Sequence, residues 1–153
     1  MRVYSVCLYL VGIKKHYIVR LSKLFGKPAK SKDAKKSFFE VMLGAGKNNK
    51  SVKVVDEETS NFTYAPDLAK KTKEIIDSKK SFGIYHVSNT DSCTWYESIL
   101  ELYRQAKIKT KVIPVDGDEF PRSAKRPYYS VLLNTKLNPL RSYKLALKDF
   151  LKK

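Results

Sequence analysis

The densest chemistry in the sequence lies at 121–130, Pro-Arg-Ser-Ala-Lys-Arg-Pro-Tyr-Tyr-Ser. Three cations, Arg122, Lys125 and Arg126, and two aromatic rings, Tyr128 and Tyr129, stand in a stretch stiffened by Pro121 and Pro127. A guanidinium fork pairs bidentately with phosphate, a tyrosine ring stacks on a base or sugar, and proline lowers the ordering cost of binding. That combination suits a nucleoside diphosphate. The same composition also describes a surface loop whose charges stay hydrated, and on residue types alone the two readings weigh evenly.

Other reactive residue types form no constellation. Leu43-Gly44-Ala45-Gly46 is the only dense glycine spot, and it follows a helical pattern, so it reads as a helix end rather than a phosphate loop. No nucleophile elbow, P-loop or metal-binding histidine pair is present. Asp56-Glu57-Glu58 reads as a solvated turn, and Asp116, Asp118 and Glu119 read the same way. Cys7 and Cys93 are far apart without partners at metal-ligand spacing, which argues against a disulfide framework or a zinc site. His16 and His86 stand apart in sequence, and His86 falls within Gly83–Val87, where a packed strand residue is the simpler reading than a base. Neither a catalytic nor a metal-ligating residue is assigned.

Short strands alternating with helical patterns must position the 121–130 segment. Strands are expected over 17–22, 51–55, 83–87 and 111–115, the last broken by Pro114. A helix is expected after caps at Ser31–Asp33, with Phe38, Phe39, Val41, Met42 and Leu43 on its apolar face and Gly44 and Gly46 ending it. Pro66 suits the first position of a second helix, which turns Leu68, Ala69, Thr72, Ile75 and Ile76 inward. A third begins near Trp95 with Ile99, Leu100 and Tyr103 apolar, and a fourth spans about 142–151 with Leu145, Ala146, Phe150 and Leu151 apolar. Segment 119–130 carries too many prolines and charges for regular structure. The fold class is therefore α/β, a small mixed sheet with flanking helices.

At 153 residues and 42% hydrophobic content, the chain is one domain's length with enough apolar mass for a core. The apolar stretch Val3–Ile13 is too short to span a bilayer as a helix and has no small-residue cleavage site after it, which points to a cytoplasmic protein without a membrane partner. The formal charge of +16 draws anions of every kind, yet only six of the 31 basic residues are arginines. Lysine pairs such as Lys35-Lys36, Lys70-Lys71 and Lys79-Lys80 are scattered rather than interleaved with stacking aromatics. A solvated surface is favoured, and nucleic acid is the least favoured partner.

Four blocks, in order, resemble the dTDP-4-dehydrorhamnose reductases of the extended short-chain dehydrogenase/reductase group. They are Tyr17-Ile18-Val19-Arg20-Leu21-Ser22-Lys23-Leu24-Phe25-Gly26; Val54 to Glu58 with Thr63-Tyr64-Ala65-Pro66-Asp67-Leu68-Ala69; Gly83-Ile84-Tyr85-His86-Val87 with Ser92 to Glu97; and Glu119 to Ser130 followed by Asn134-Thr135-Lys136-Leu137. The resemblance implies the C-terminal portion of a Rossmann-type extended reductase, with residues 1–16 unmatched and 17–153 forming the substrate-binding domain. It implies reduction of the C4 keto group of dTDP-6-deoxy-L-lyxo-4-hexulose to dTDP-L-rhamnose, with hydride from NADPH or NADH and a proton from a tyrosine beside a lysine.

The cofactor motif of such enzymes, a glycine-rich first turn, is not in this sequence, and no cofactor-binding residue is assigned. Upstream of Tyr17 the closest candidate for the catalytic tyrosine, Tyr4, has Leu8 four residues on, so that pair is not found there either. The family pattern has tryptophan where this chain has Lys23, and an aspartate where it has Leu133. By this resemblance Lys23, Arg122, Lys125, Arg126 and Tyr129 bind the substrate, while Thr63, Tyr64 and Asp67 hold the architecture. The implied partners are a dTDP-sugar nucleotide and a separately encoded Rossmann half, with the chain inactive alone. The alternative is a non-catalytic sugar-nucleotide-binding or regulatory module, a type the family includes in the regulatory subunit of methionine adenosyltransferase.

Overall fold

A computed structural model describes residues 14–27 and 34–152. The expected features at Val3–Ile13, Tyr4, Leu8, Cys7, Pro28 and the caps at Ser31–Asp33 lie outside the described residues. Along the chain run β1 (Tyr17–Arg20), β2 (Leu24–Phe25), α1 (Phe38–Asn48), β3 (Ser51–Val55), β4 (Thr63–Tyr64), α2 (Ala65–Asp77) and β5 (Gly83–His86). Then follow α3 (Trp95–Ala106), β6 (Lys111–Val115), a 3-10 turn (Gly117–Glu119) and α4 (Tyr143–Leu151). Strands pair in parallel, β1 with β5, β2 with β4 and β3 with β6, and Ser60 and Cys93 add an antiparallel bridge. The α/β class with few, short strands and flanking helices is the one expected.

Aromatic residues dominate the main core. Phe25 of β2, Phe39 of α1 and Phe62 before β4 are buried together with Ile99 and Leu102 of α3 and Ala146, Leu147 and Phe150 of α4. Phe39 stacks on Phe62 at 5.1 Å and meets Phe25 edge-on at 4.9 Å, the offset geometries that ring quadrupoles favour. A second cluster joins Ile75 of α2 to Tyr85 and Val87, backed by Tyr17 and Val19 of β1. Helix α3 is fixed at its start by a capping box: Thr94 accepts from the Glu97 amide while Glu97 accepts from the Thr94 amide. Asp67, expected to be architectural, is forked by Arg141 at 2.9 and 3.0 Å and also takes a bond from buried Asn89.

Several expectations are corrected. Helix α1 does not end at Gly44 and Gly46 but runs through both to Asn48. Gly46 is there for packing: a Cβ on it would lie 2.7 Å from the Tyr103 ring, whose hydroxyl donates to the Met42 carbonyl at 2.8 Å. Pro114 does not break β6. Lys111 donates to the Lys50 carbonyl and the Val115 carbonyl accepts from Asp56, so odd-numbered residues of β6 face β3 and Pro114 turns its missing donor outward. Helix α2 begins at Ala65, placing Pro66 second, and only Ile75 of its apolar residues is fully buried; Ala69 and Ile76 face solvent. Val41, Leu100 and Leu145 are likewise exposed, and Tyr143 and Leu147 are the buried residues of α4 that the apolar pattern omitted.

Candidate functional site

The parallel pairing of β3 and β6 makes the site. Both strands run the same way, so the residues after Val55 and after Val115 emerge at one end of the pair, the carboxyl end where open α/β sheets hold ligands. From β3 come Asp56, Glu57 and Glu58; from β6 come the 3-10 turn and then the 121–130 segment. Glu57 accepts from the Gly117 amide at 3.0 Å, pinning the turn to the end of β3, and beside it the exposed Lys53 and Glu119 pair at 2.8 Å. Further along, the Thr59 amide donates to Tyr128 at 2.8 Å, Ser130 donates to Thr59 at 2.9 Å, and Leu132 donates to the Asn61 side chain at 2.7 Å. Thr94 at the start of α3 donates to Asp56, which brings Trp95 to the same place.

Glu58 is the centre of the cluster, and the solvated turn expected for the acidic trio is corrected here. It is 8% exposed. Its carboxylate accepts from the Trp95 indole at 2.9 Å, from Arg122 at 3.1 Å and from Arg126 at 3.4 Å. Its carbonyl accepts from Lys23 Nζ at 3.1 Å. A buried carboxylate is tolerable only with such company.

Each expected site residue can now be placed. Arg122, Lys125 and Arg126 line a cleft of about 540 Å³ together with Glu57, Asp118 and Tyr128. Arg122 and Arg126 also border an adjoining apolar cleft of about 370 Å³ against Phe38, Val55, Trp95 and Phe120. Lys125 has its Nζ 5.6 Å from the centre of the Tyr128 ring. Tyr129 is 69% exposed and does not line the cleft, whereas Tyr128 does. Lys23 lies behind the cleft, half-buried, with Nζ 3.8 Å from the Trp95 ring centre and 5.3 Å from that of Phe62. Burial lowers its pKa from 10.5 to about 8; Glu58 opposes the shift, and Arg126 and Arg122 add to it. Leu133 is exposed, with its carbonyl 3.0 Å from His86 Nδ1.

A Tyr-x-x-x-Lys spacing does occur, at Tyr103 and Lys107, but its geometry is structural. The Tyr103 hydroxyl is buried on Met42 with its pKa raised by that burial, and Lys107 is the exposed left-handed residue capping α3. Among the described residues, two strand-to-helix passages lack the glycine-rich turn of a dinucleotide site: β4 runs straight into α2, and Val87 to Thr94 before α3 contains no glycine. At these two passages the nicotinamide dinucleotide that the resemblance implies does not fit. Cys93 is buried, and burial pushes its thiol up to about 11.

This arrangement has known counterparts. A dTDP-4-dehydrorhamnose reductase from Bacillus anthracis, solved in complex with NADP, is 32% identical with a TM-score of 0.79, covering 88% of this chain and 47% of that one. The Clostridium acetobutylicum counterpart is 35% identical with a TM-score of 0.78 and the same coverage. Among curated relatives, the spore coat polysaccharide biosynthesis protein SpsK of Bacillus subtilis is 28% identical over 138 residues, which is 88% of this chain and 46% of SpsK. The chain spans about half the length of the curated relatives it matches. The model of the RmlD substrate binding domain matches residues 10–153, starting ahead of Tyr17, and the chain belongs to that family.

Proposed function

We propose that this domain holds the diphosphate and nucleoside of a dTDP-linked 4-keto-6-deoxy sugar for reduction by NADPH or NADH bound on other residues. The observation that carries this is the convergence of Arg122 and Arg126 on the wall shared by two unlike clefts, one polar and one apolar. Arg122 and Arg126 converge on the buried Glu58 carboxylate, and Lys23 sits on the Glu58 carbonyl. A sugar nucleotide has the matching shape: an anionic centre with an aromatic base at one end and a sugar at the other. Arginine's fixed fork suits that diphosphate, and Tyr128 and Phe120 offer ring faces beside it. The solved reductases of similar sequence carry the substrate class in their names.

The domain's contribution is binding and orientation. Arg122, Lys125 and Arg126 neutralise and fix the diphosphate, which places the sugar relative to whatever donates hydride. The two passages described do not suit a nicotinamide dinucleotide, and the described Tyr-x-x-x-Lys pair, Tyr103 and Lys107, is structural, so the purified chain by itself is expected not to turn over substrate. The test is NADPH oxidation with dTDP-6-deoxy-L-lyxo-4-hexulose. No absorbance change above background is expected from the purified chain; turnover, with host reductase excluded, contradicts the division of labour.

A further inference from the structure

The segment over the cleft is tied by backbone at both ends and by one side chain in the middle. Phe120 donates to Gly117 on one side, and Tyr128 and Ser130 bond Thr59 on the other. Between them, the hydrogen bonds that hold the segment down are those of Arg122 and Arg126 to Glu58. We propose that Glu58 is a positioning residue for the cleft: its buried carboxylate stands in for a ligand's anion, keeps both guanidiniums turned inward, and releases them to a diphosphate. This rests on reading the cleft as a sugar-nucleotide site.

The geometry suits an exchange rather than a permanent bridge. Each guanidinium gives Glu58 a single N–H of its five, at 3.1 and 3.4 Å, so the remaining donors are free to meet a phosphate first. The arginine side chains are 38% and 49% exposed while that of Glu58 is 11% exposed, so the cations sit at the solvent boundary and the carboxylate behind them. When the arginines leave, Glu58 is not orphaned. The Trp95 indole still donates to its carboxylate at 2.9 Å, and Lys23 still sits on its carbonyl at 3.1 Å. Those two contacts reduce the desolvation penalty that otherwise makes breaking a buried ion pair costly.

Trypsin reads this arrangement directly, because the segment offers cleavage after Arg122 and after Lys125 while Pro127 blocks cleavage after Arg126. Nicking at those two bonds is followed by mass spectrometry for the parent, for Glu58→Gln and for Glu119→Gln, a control that removes the same charge from the exposed pair with Lys53. Glu58→Gln is expected to speed nicking roughly fivefold or more, and Glu119→Gln to leave it unchanged. Arg126→Ala, at an exposed position that does not endanger folding, is expected to speed cleavage after Arg122 as well. Equal nicking of the parent, Glu58→Gln and Arg126→Ala overturns the proposal. Repeating the series with dTDP separates the two readings. If Glu58→Gln accelerates nicking and dTDP protects no chain, the positioning role stands and the ligand assignment falls. If dTDP protects the parent but Glu58→Gln nicks at the parental rate, the ligand stands and the positioning role falls.

Discussion

Replacing Lys23 by methionine is expected to stabilise the domain at neutral pH, although it removes a hydrogen bond and two cation–ring contacts. Burial brings the Lys23 pKa from 10.5 to about 8 even with Glu58 nearby, so the protonated amine is worse off folded than unfolded. At 1.36 kcal/mol per pKa unit that is a ceiling of about 3 kcal/mol, and the half-burial of the side chain reduces it to about 1–2 kcal/mol. The sign follows from proton counts. Below about pH 8 the amine is charged in both states and the cost is full. As pH rises towards 10.5, the folded chain gives up its proton before the unfolded chain does, so stability rises and the cost disappears. Methionine carries no such cost and covers the Phe62 and Trp95 rings with a polarisable thioether. Urea unfolding followed by fluorescence of Trp95, the single tryptophan, measures both chains. Lys23→Met is expected to be about 1 kcal/mol more stable at pH 7, with the gap narrowing by roughly half at pH 9.5. A variant less stable at pH 7, or a gap that does not change with pH, refutes the reasoning.

The two glycines of α1 are expected to respond oppositely to alanine. Gly44→Ala meets nothing within 4 Å and should raise stability by up to about 1 kcal/mol through helix propensity, whereas Gly46→Ala drives a Cβ into the Tyr103 ring and should cost about 1–3 kcal/mol; thermal melting of both variants checks the pair. Lys152 first and Arg141 second hold Asp149 down to about 2 through their hydrogen bonds, so the stability this gives is full above 3.8 and lost as pH falls towards 2. Arg141→Met should therefore lower the melting temperature at pH 7, and its difference from the parent should shrink across that acid window.

The parts of the fold that were legible in sequence are those set by local pattern. The valines of 51–55 mark β3 with both its boundaries, and the capping residues before Trp95 mark the start of α3, because periodicity and caps are short-range signals. Gly46 was misread because its reason, the Tyr103 ring, arrives from another helix. Pro114 was misread because its tolerance depends on which side of β6 faces β3. In the candidate site, the composition of 121–130 singles out Arg122, Lys125 and Arg126, which the structure brings to one cleft. Glu58 was missed. Three successive carboxylates look like a solvated turn, and only the shared exit of two parallel strands shows that one of them is buried under the arginines. The available hint was an acidic cluster closing a buried valine strand in a chain of charge +16, where cations outnumber their partners. Tyr128, rather than Tyr129, faces the cleft, an alternation that sequence reading of an irregular segment has no means to fix.

The central claim is that the cleft under Arg122 and Arg126 takes the diphosphate of a dTDP-sugar. It is tested most directly by calorimetric titration of the chain with dTDP at low salt, repeated with Arg126→Ala. Weak, saturable binding on the order of 0.1–1 mM is expected, falling steeply with added salt and weakened roughly tenfold in the variant. No saturable heat from the parent, or an identical curve from Arg126→Ala, contradicts the account.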